Sequence, residues 1–63
     1  MKDHIDRDDK IIDTVKLNGG AVLHRVERDG MRVSTIWHHG LECWSCFRAC
    51  EADMIEAWNE SHQ

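Results

Sequence analysis

Residues 41–58, Leu-Glu-Cys-Trp-Ser-Cys-Phe-Arg-Ala-Cys-Glu-Ala-Asp-Met-Ile-Glu-Ala-Trp, decide how the rest of the chain is arranged. Turned at about 100° per residue, they place Cys43, Cys46, Phe47, Cys50, Met54, Ala57 and Trp58 on one side, with Trp44 and Ile55 as flanks. Glu42, Ser45, Arg48, Glu51, Asp53 and Glu56 take the other side. The pattern predicts a long amphipathic helix, and no other segment offers so wide an apolar face. Glu42 in its first turn suits the helix dipole, but no Ser, Thr, Asn or Asp caps the start. A second reading therefore stands beside the first, with Glu42 to Phe47 as a fourth strand and the helix beginning near Arg48.

Upstream, Asn18-Gly19-Gly20 and Asp29-Gly30 tolerate the positive φ of tight hairpin turns. They divide the chain into strands at roughly 11–17, 21–28 and 31–38. Two-residue loops at Asn18-Gly19 and Asp29-Gly30 set Val15 opposite Val22, Ile11 and Val33 opposite Val26, Val22 opposite Trp37, and Glu27 opposite Arg32. One face then holds Ile11, Val15, Leu17, Val22, Val26, Met31, Val33 and Trp37, the expected seat of the helix. The other holds Thr14, Lys16, Arg25, Glu27, Arg32, Ser34 and His38, with Ile12, Ala21, Leu23 and Ile36 among them. The expected fold class is α+β, a three-stranded antiparallel meander with one face packed on a C-terminal helix.

A chain of 63 residues makes one domain, and at that size only about 60% of the unfolded surface is buried, so a staple, a metal or a second subunit helps stability. Residues 1–9 are densely charged and without periodicity, which predicts a mobile acidic tail ahead of a domain spanning 10–63. Apolar residues at 41% and charged residues at 32% are globular values, with no run able to span a membrane. The start lacks a signal peptide's apolar core, and three cysteines fit a reducing compartment, so a cytoplasmic protein is expected. The net charge of −4 is uneven: both ends are acidic, and the middle, with Lys16, Arg25, Arg28 and Arg32, is locally basic.

Three candidate chemistries follow. Cys43, Cys46 and Cys50 cluster on the helical face, and with His38 or His39 they make an accepted ligand set for zinc, the alternative to a chain with no cofactor. The competing reading is core: free cysteine is among the most buried residue types, and these three occupy the face that must be packed. A redox Cys-x2-Cys lacks the preceding elements of thioredoxin-like folds. Asp13, His24 and Thr35 fall side by side across the strands, where a base and a nucleophile would sit, but a sheet face beneath a helix leaves no cleft. Finally, the outer sheet face carries Lys16, Arg25 and Arg32 for contact with nucleic acid, and an apolar stripe of Leu23 and Ile36, with Ile12, for contact with a protein.

The strand-strand-strand-helix order resembles the DNA-binding domains of plant AP2 factors and of phage or transposon integrases, a likeness of topology only. The segment Arg32-Val33-Ser34-Thr35-Ile36-Trp37-His38 is similar to strands of small accessory proteins of tailed phages and prophages. That resemblance implies a non-enzymatic interaction protein that binds a host factor, and it transfers no functional residue. The leading expectation is such an interaction module, a homo-oligomer or the partner of another protein. Nucleic-acid binding and a zinc-stabilised mini-domain are the alternatives.

Overall fold

A computed structural model describes residues 9–63, with side chains from Lys10 onward. The expected tail falls outside these residues apart from Asp9, where the first strand begins. Four strands form one antiparallel sheet in the order β1-β2-β3-β4: β1 Asp9–Lys16, β2 Val22–Arg28, β3 Met31–His38 and β4 Leu41–Phe47. A 3-10 turn over Arg48–Cys50 leads into the helix α1, Glu51–Ser61.

The expected three-strand count is corrected to four, and the helix starts ten residues later than its apolar pattern predicts. The cause is the His39-Gly40 turn. Both residues take positive φ, 55° and 78°, matching Asp29 and Gly30 at 54° and 77°. This repeated two-residue turn folds β4 back on β3 and pairs His38 with Leu41. Histidine, like Asn and Asp, is enriched in the left-handed region, so His-Gly serves where Asp-Gly serves. The helix begins where Glu51 and Asp53 supply first-turn negative charge.

The predicted pairings Val22–Trp37, Val26–Val33, Glu27–Arg32 and Ile11–Val26 are all present. Two irregularities were not visible in the alternation. The first turn has three residues, Asn18–Gly20, closed by the Leu17 amide donating to the Ala21 carbonyl at 2.9 Å. β1 also carries a bulge between Ile11 and Asp13, which restores the expected Ile11–Val26 pairing, while the third turn residue shifts the register by one and pairs Val15 with Leu23 rather than Val22.

That shift decides where the helix goes. It completes a row of Val15, Leu23, Ile36 and Trp44 across all four strands, and α1 packs on this row rather than on the face expected. Leu23 and Ile36 are 0% exposed and form the core with Ala21 and Trp58, supported by Val15, Leu17, Met54 and Ile55. On α1 the inward positions are Glu51, Met54, Ile55 and Trp58, while Ala52, Asp53, Glu56, Ala57 and Glu60 face water. Trp58 is also held by polarity, its Nε1 donating to the Asn18 carbonyl at 3.0 Å. Asn18 and Asn59 exchange two further hydrogen bonds, at 2.9 and 3.2 Å, tying the end of the helix to the first turn.

Candidate interaction surface

No strand or helix of the described residues packs on the face opposite α1, and its residues are arranged in rows by the strand register. Ile11, Val26, Val33 and Phe47 form one continuous apolar row from β1 to β4. Val26, in the middle, is fully buried, while Phe47 is 59%, Met31 51% and Ile11 46% exposed. Beside Phe47 lies a depression of about 310 Å³, lined by Arg28, Val33, Ser45, Cys46 and Phe47.

The next row is polar: Thr14, His24, Thr35 and Ser45. Thr14 Oγ1 and His24 Nδ1 are hydrogen-bonded at 2.8 Å, Thr35 Oγ1 donates to the His24 carbonyl at 3.3 Å, and Trp37 Nε1 donates to Thr35 Oγ1 at 2.9 Å. Burial holds the His24 pKa below its usual 6.5, so the ring is neutral at pH 7. The expected row of Asp13, His24 and Thr35 is corrected by the three-residue first turn: Thr14 stands beside His24, and Asp13 turns to the helix side.

The last row runs Lys16, Val22, Trp37, Glu42. Arg28 Nη2 donates to Glu42 Oε1 at 3.1 Å, although these residues align with Met31 and Trp37 of β3, about 20 Å apart along a flat strand. The sheet is therefore curled, with the Arg28 and Glu42 corners raised toward the open face.

The predicted basic surface does not exist as one patch. Lys16 lies on the open face, whereas Arg25 and Arg32 lie on the helix side. Arg25 is clamped there: its Nε and Nη2 donate to the Glu51 carboxylate at 2.7 to 3.1 Å, and its Nη1 to Asp13 at 3.3 Å. Ser34 Oγ donates to Glu51 Oε1 at 2.6 Å. The hydrogen bonds from Arg25 hold the Glu51 carboxyl below its ordinary pKa against the opposing effect of burial, and Glu51 in turn raises that of Arg25. This bidentate pair orients α1 on the sheet. Leu23 and Ile36, expected on a partner surface, are core.

The cysteines do not share a helical face. Cys43 is the extra residue of a bulge in β4 between the pairs Ile36–Trp44 and Trp37–Glu42, Cys46 is half-buried in the strand, and Cys50 precedes the helix; Cys43 and Cys50 are exposed. Their expected role as core is thereby corrected. Burial, then the nearby Cys50 and Glu51, pushes the Cys46 thiol up in pKa, away from the thiolate form that binds metals. Among the described residues no group of three or more His, Cys, Asp or Glu side chains is placed to hold a metal ion. His38 and His39 lie at the other end of β4, rings 4.0 Å apart; His38 donates to the Gly19 carbonyl at 3.0 Å and packs edge-on against Trp58, on which His62 stacks at 3.8 Å.

Sequence reasoning placed Ile11, Met31 and Val33 together but under the helix, and gave Phe47 to the helix itself. The strand alternation carried their shared face; which face stays open was beyond it. No helix of the described residues is long and apolar enough to cross a membrane. The fold defines the class, an α+β domain with a four-stranded antiparallel sheet and a C-terminal helix, in which no element of the described residues packs on the second sheet face. No family model, curated protein or solved structure matches the chain.

Proposed function

We propose that this chain is a small interaction module that docks a protein on its open sheet face. The observation that carries the reading is the apolar row Ile11, Val26, Val33 and Phe47, with Met31 beside it, exposed at both ends on a face that no element of the described chain covers. Apolar side chains gathered in one place on so small a domain mark a contact surface. Binding is favoured over catalysis because the Thr14–His24 pair sits on an open sheet, with no enclosed cleft around it to exclude water. A non-enzymatic partner-binding role also agrees with the likeness of the Arg32–His38 segment to small phage accessory proteins. Nucleic-acid binding is disfavoured, since Arg25 is consumed by Glu51 and Asp13, and Lys16 and Arg32 lie on opposite faces.

Affinity capture from source-cell lysate with two charge variants tests this. Proteins retained by the wild type are expected to be released by Phe47→Glu and kept by Glu56→Lys on the outer side of α1. Equal retention by wild type and Phe47→Glu removes the open face from the function.

A further inference from the structure

We infer that Asn18 is a site of non-enzymatic modification, a deamidation at Asn18-Gly19 whose product releases the end of α1 from the first turn. Asn18 fastens that end with both its backbone and its side chain. Its carbonyl accepts from Trp58 Nε1 at 3.0 Å, its amide donates to Asn59 Oδ1 at 2.9 Å, and its Nδ2 donates to the Asn59 carbonyl at 3.2 Å. The bond from Nδ2 is a helix cap. A helix leaves its final carbonyls without intrahelical partners, and that of Asn59 is met by the His62 amide at 3.2 Å and by Asn18 Nδ2. Because the atom to be capped is an acceptor, the cap has to be a donor.

Asparagine is thermolabile, and here its neighbour makes it more so. Asn18 and Gly19 are both exposed to water, and Gly19 has no Cβ to shield its peptide nitrogen. Attack of that nitrogen on Asn18 Cγ forms the ring N–C bond of a succinimide; the Cγ–Nδ2 bond breaks, and ammonia leaves with the proton from the Gly19 nitrogen. Water then opens one of the two ring carbonyl–nitrogen bonds, giving aspartate with the original chain path or isoaspartate with the path through the side chain. Water is the one co-reactant, and no electrons are transferred. While the joint is closed, the Asn18 carboxamide is held against Asn59, so the first step is gated by local opening of the helix end.

The product does not refasten. A carboxylate oxygen takes the place of Nδ2 opposite the Asn59 carbonyl, two acceptors with no proton between them, so the cap is lost. The new negative charge also lies at the C-terminal end of α1, the negative end of its dipole, where the last turn holds no basic residue to offset it. Isoaspartate further lengthens the backbone beside Gly19, where space is short: a Cβ added to Gly19 would lie 3.2 Å from His62 Cβ. Each change acts on the contact that seats Trp58 in the core.

Ageing of the purified full chain in mildly alkaline buffer tests this, followed by peptide mapping with mass spectrometry, thermal melts and amide exchange. Asn59, which precedes Glu60 within the helix, is the internal control. Deamidation is expected at Asn18 well ahead of Asn59, and about fivefold faster in Trp58→Phe, which lacks the Nε1 hydrogen bond. Circular dichroism checks that each variant folds, and sub-denaturing urea on the wild type makes the same gating comparison without a substitution. The aged protein and Asn18→Asp should each melt about 5 °C below the unmodified chain, with exchange accelerated more from Trp58 to His62 than in β2 and β3. An Asn18 no more reactive than Asn59 overturns the site. A deamidated chain with unaltered melting and helix-end exchange overturns the release of α1, and a rate indifferent to both Trp58→Phe and urea overturns the gating.

Discussion

The two faces of the sheet carry nearly the same apolar content and meet different fates. One has the row Val15, Leu23, Ile36 and Trp44, the other Ile11, Val26, Val33 and Phe47. Each is four residues wide and spans all four strands. Only the first is covered by the helix, because only it adjoins a polar pairing for it, Arg25 and Ser34 reaching Glu51. Apolar burial is non-directional and serves either face equally; the charged hydrogen bonds are directional and select one. The helix thus goes where its single inward carboxylate is satisfied, and the other row is left without an element of the described residues packed on it.

The strongest way to break this contrast is Trp58→Ala, which removes the side chain filling the covered face. A loss of about 3–5 kcal/mol is expected in urea unfolding, the range for truncating a buried tryptophan. Phe47→Ser on the open face should change monomer stability by less than about 1 kcal/mol. If the two losses were equal, the faces would not differ as described.

Next in size are two turn glycines with φ of 74° and 78°, Gly19 and Gly40. Gly40→Ala should cost about 1 kcal/mol from backbone strain alone, since an added Cβ meets nothing within 4 Å. Gly19→Ala should cost more, because its Cβ would lie 3.2 Å from His62 Cβ at the end of the helix. Thermal melts of the two variants compare them directly.

The polar pairing that selects the face has a pH signature. The carboxyl of Glu51 is held below its ordinary 4.5, chiefly by Arg25. Its contribution is therefore fully present above about pH 4.5 and lost as pH falls through the lower folded-state value. In Glu51→Gln the acid-side fall in unfolding free energy should be shallower than in the wild type. His24 on the open face has the same sign from a different cause: burial lowers its pKa, so stability contributed by the neutral ring is present above pH 6.5 and declines below it. An NMR titration midpoint for His24 at or above 6.5 would contradict that burial.

The smallest effects belong to the cysteines. Cys43→Ser and Cys50→Ser, both at exposed positions, should each change stability by less than about 0.5 kcal/mol. Parallel unfolding by these substitutions and by a chelator would reinstate zinc as the staple.

How much was legible differs along the chain. Hairpin register follows from turn chemistry and alternation, both local, so β2 against β3 was readable pair by pair from Asp29-Gly30. Leu41 to Phe47 was ambiguous because its apolar residues at 43, 46 and 47 continue to 50, 54 and 58 beyond it, which satisfies a helical period, while a strand of seven residues needs only its neighbour to exist. The His39-Gly40 turn was the available sign of that neighbour. Of the open face, Ile11, Met31 and Val33 were read as sharing one side, and the error lay in what covered it.

By itself the sequence determined an antiparallel meander, a C-terminal helix with Trp58 on its inward side, and two amphipathic sheet surfaces, since these follow from short-range periodicity and the positive φ that Asp, His and Gly accept. Only the tertiary structure decided which surface the helix took. That choice depends on the third residue of the first turn, which moved Val15 to the Leu23 side, and on Glu51 finding Arg25 across 26 residues of chain, and neither leaves a periodic trace in the sequence.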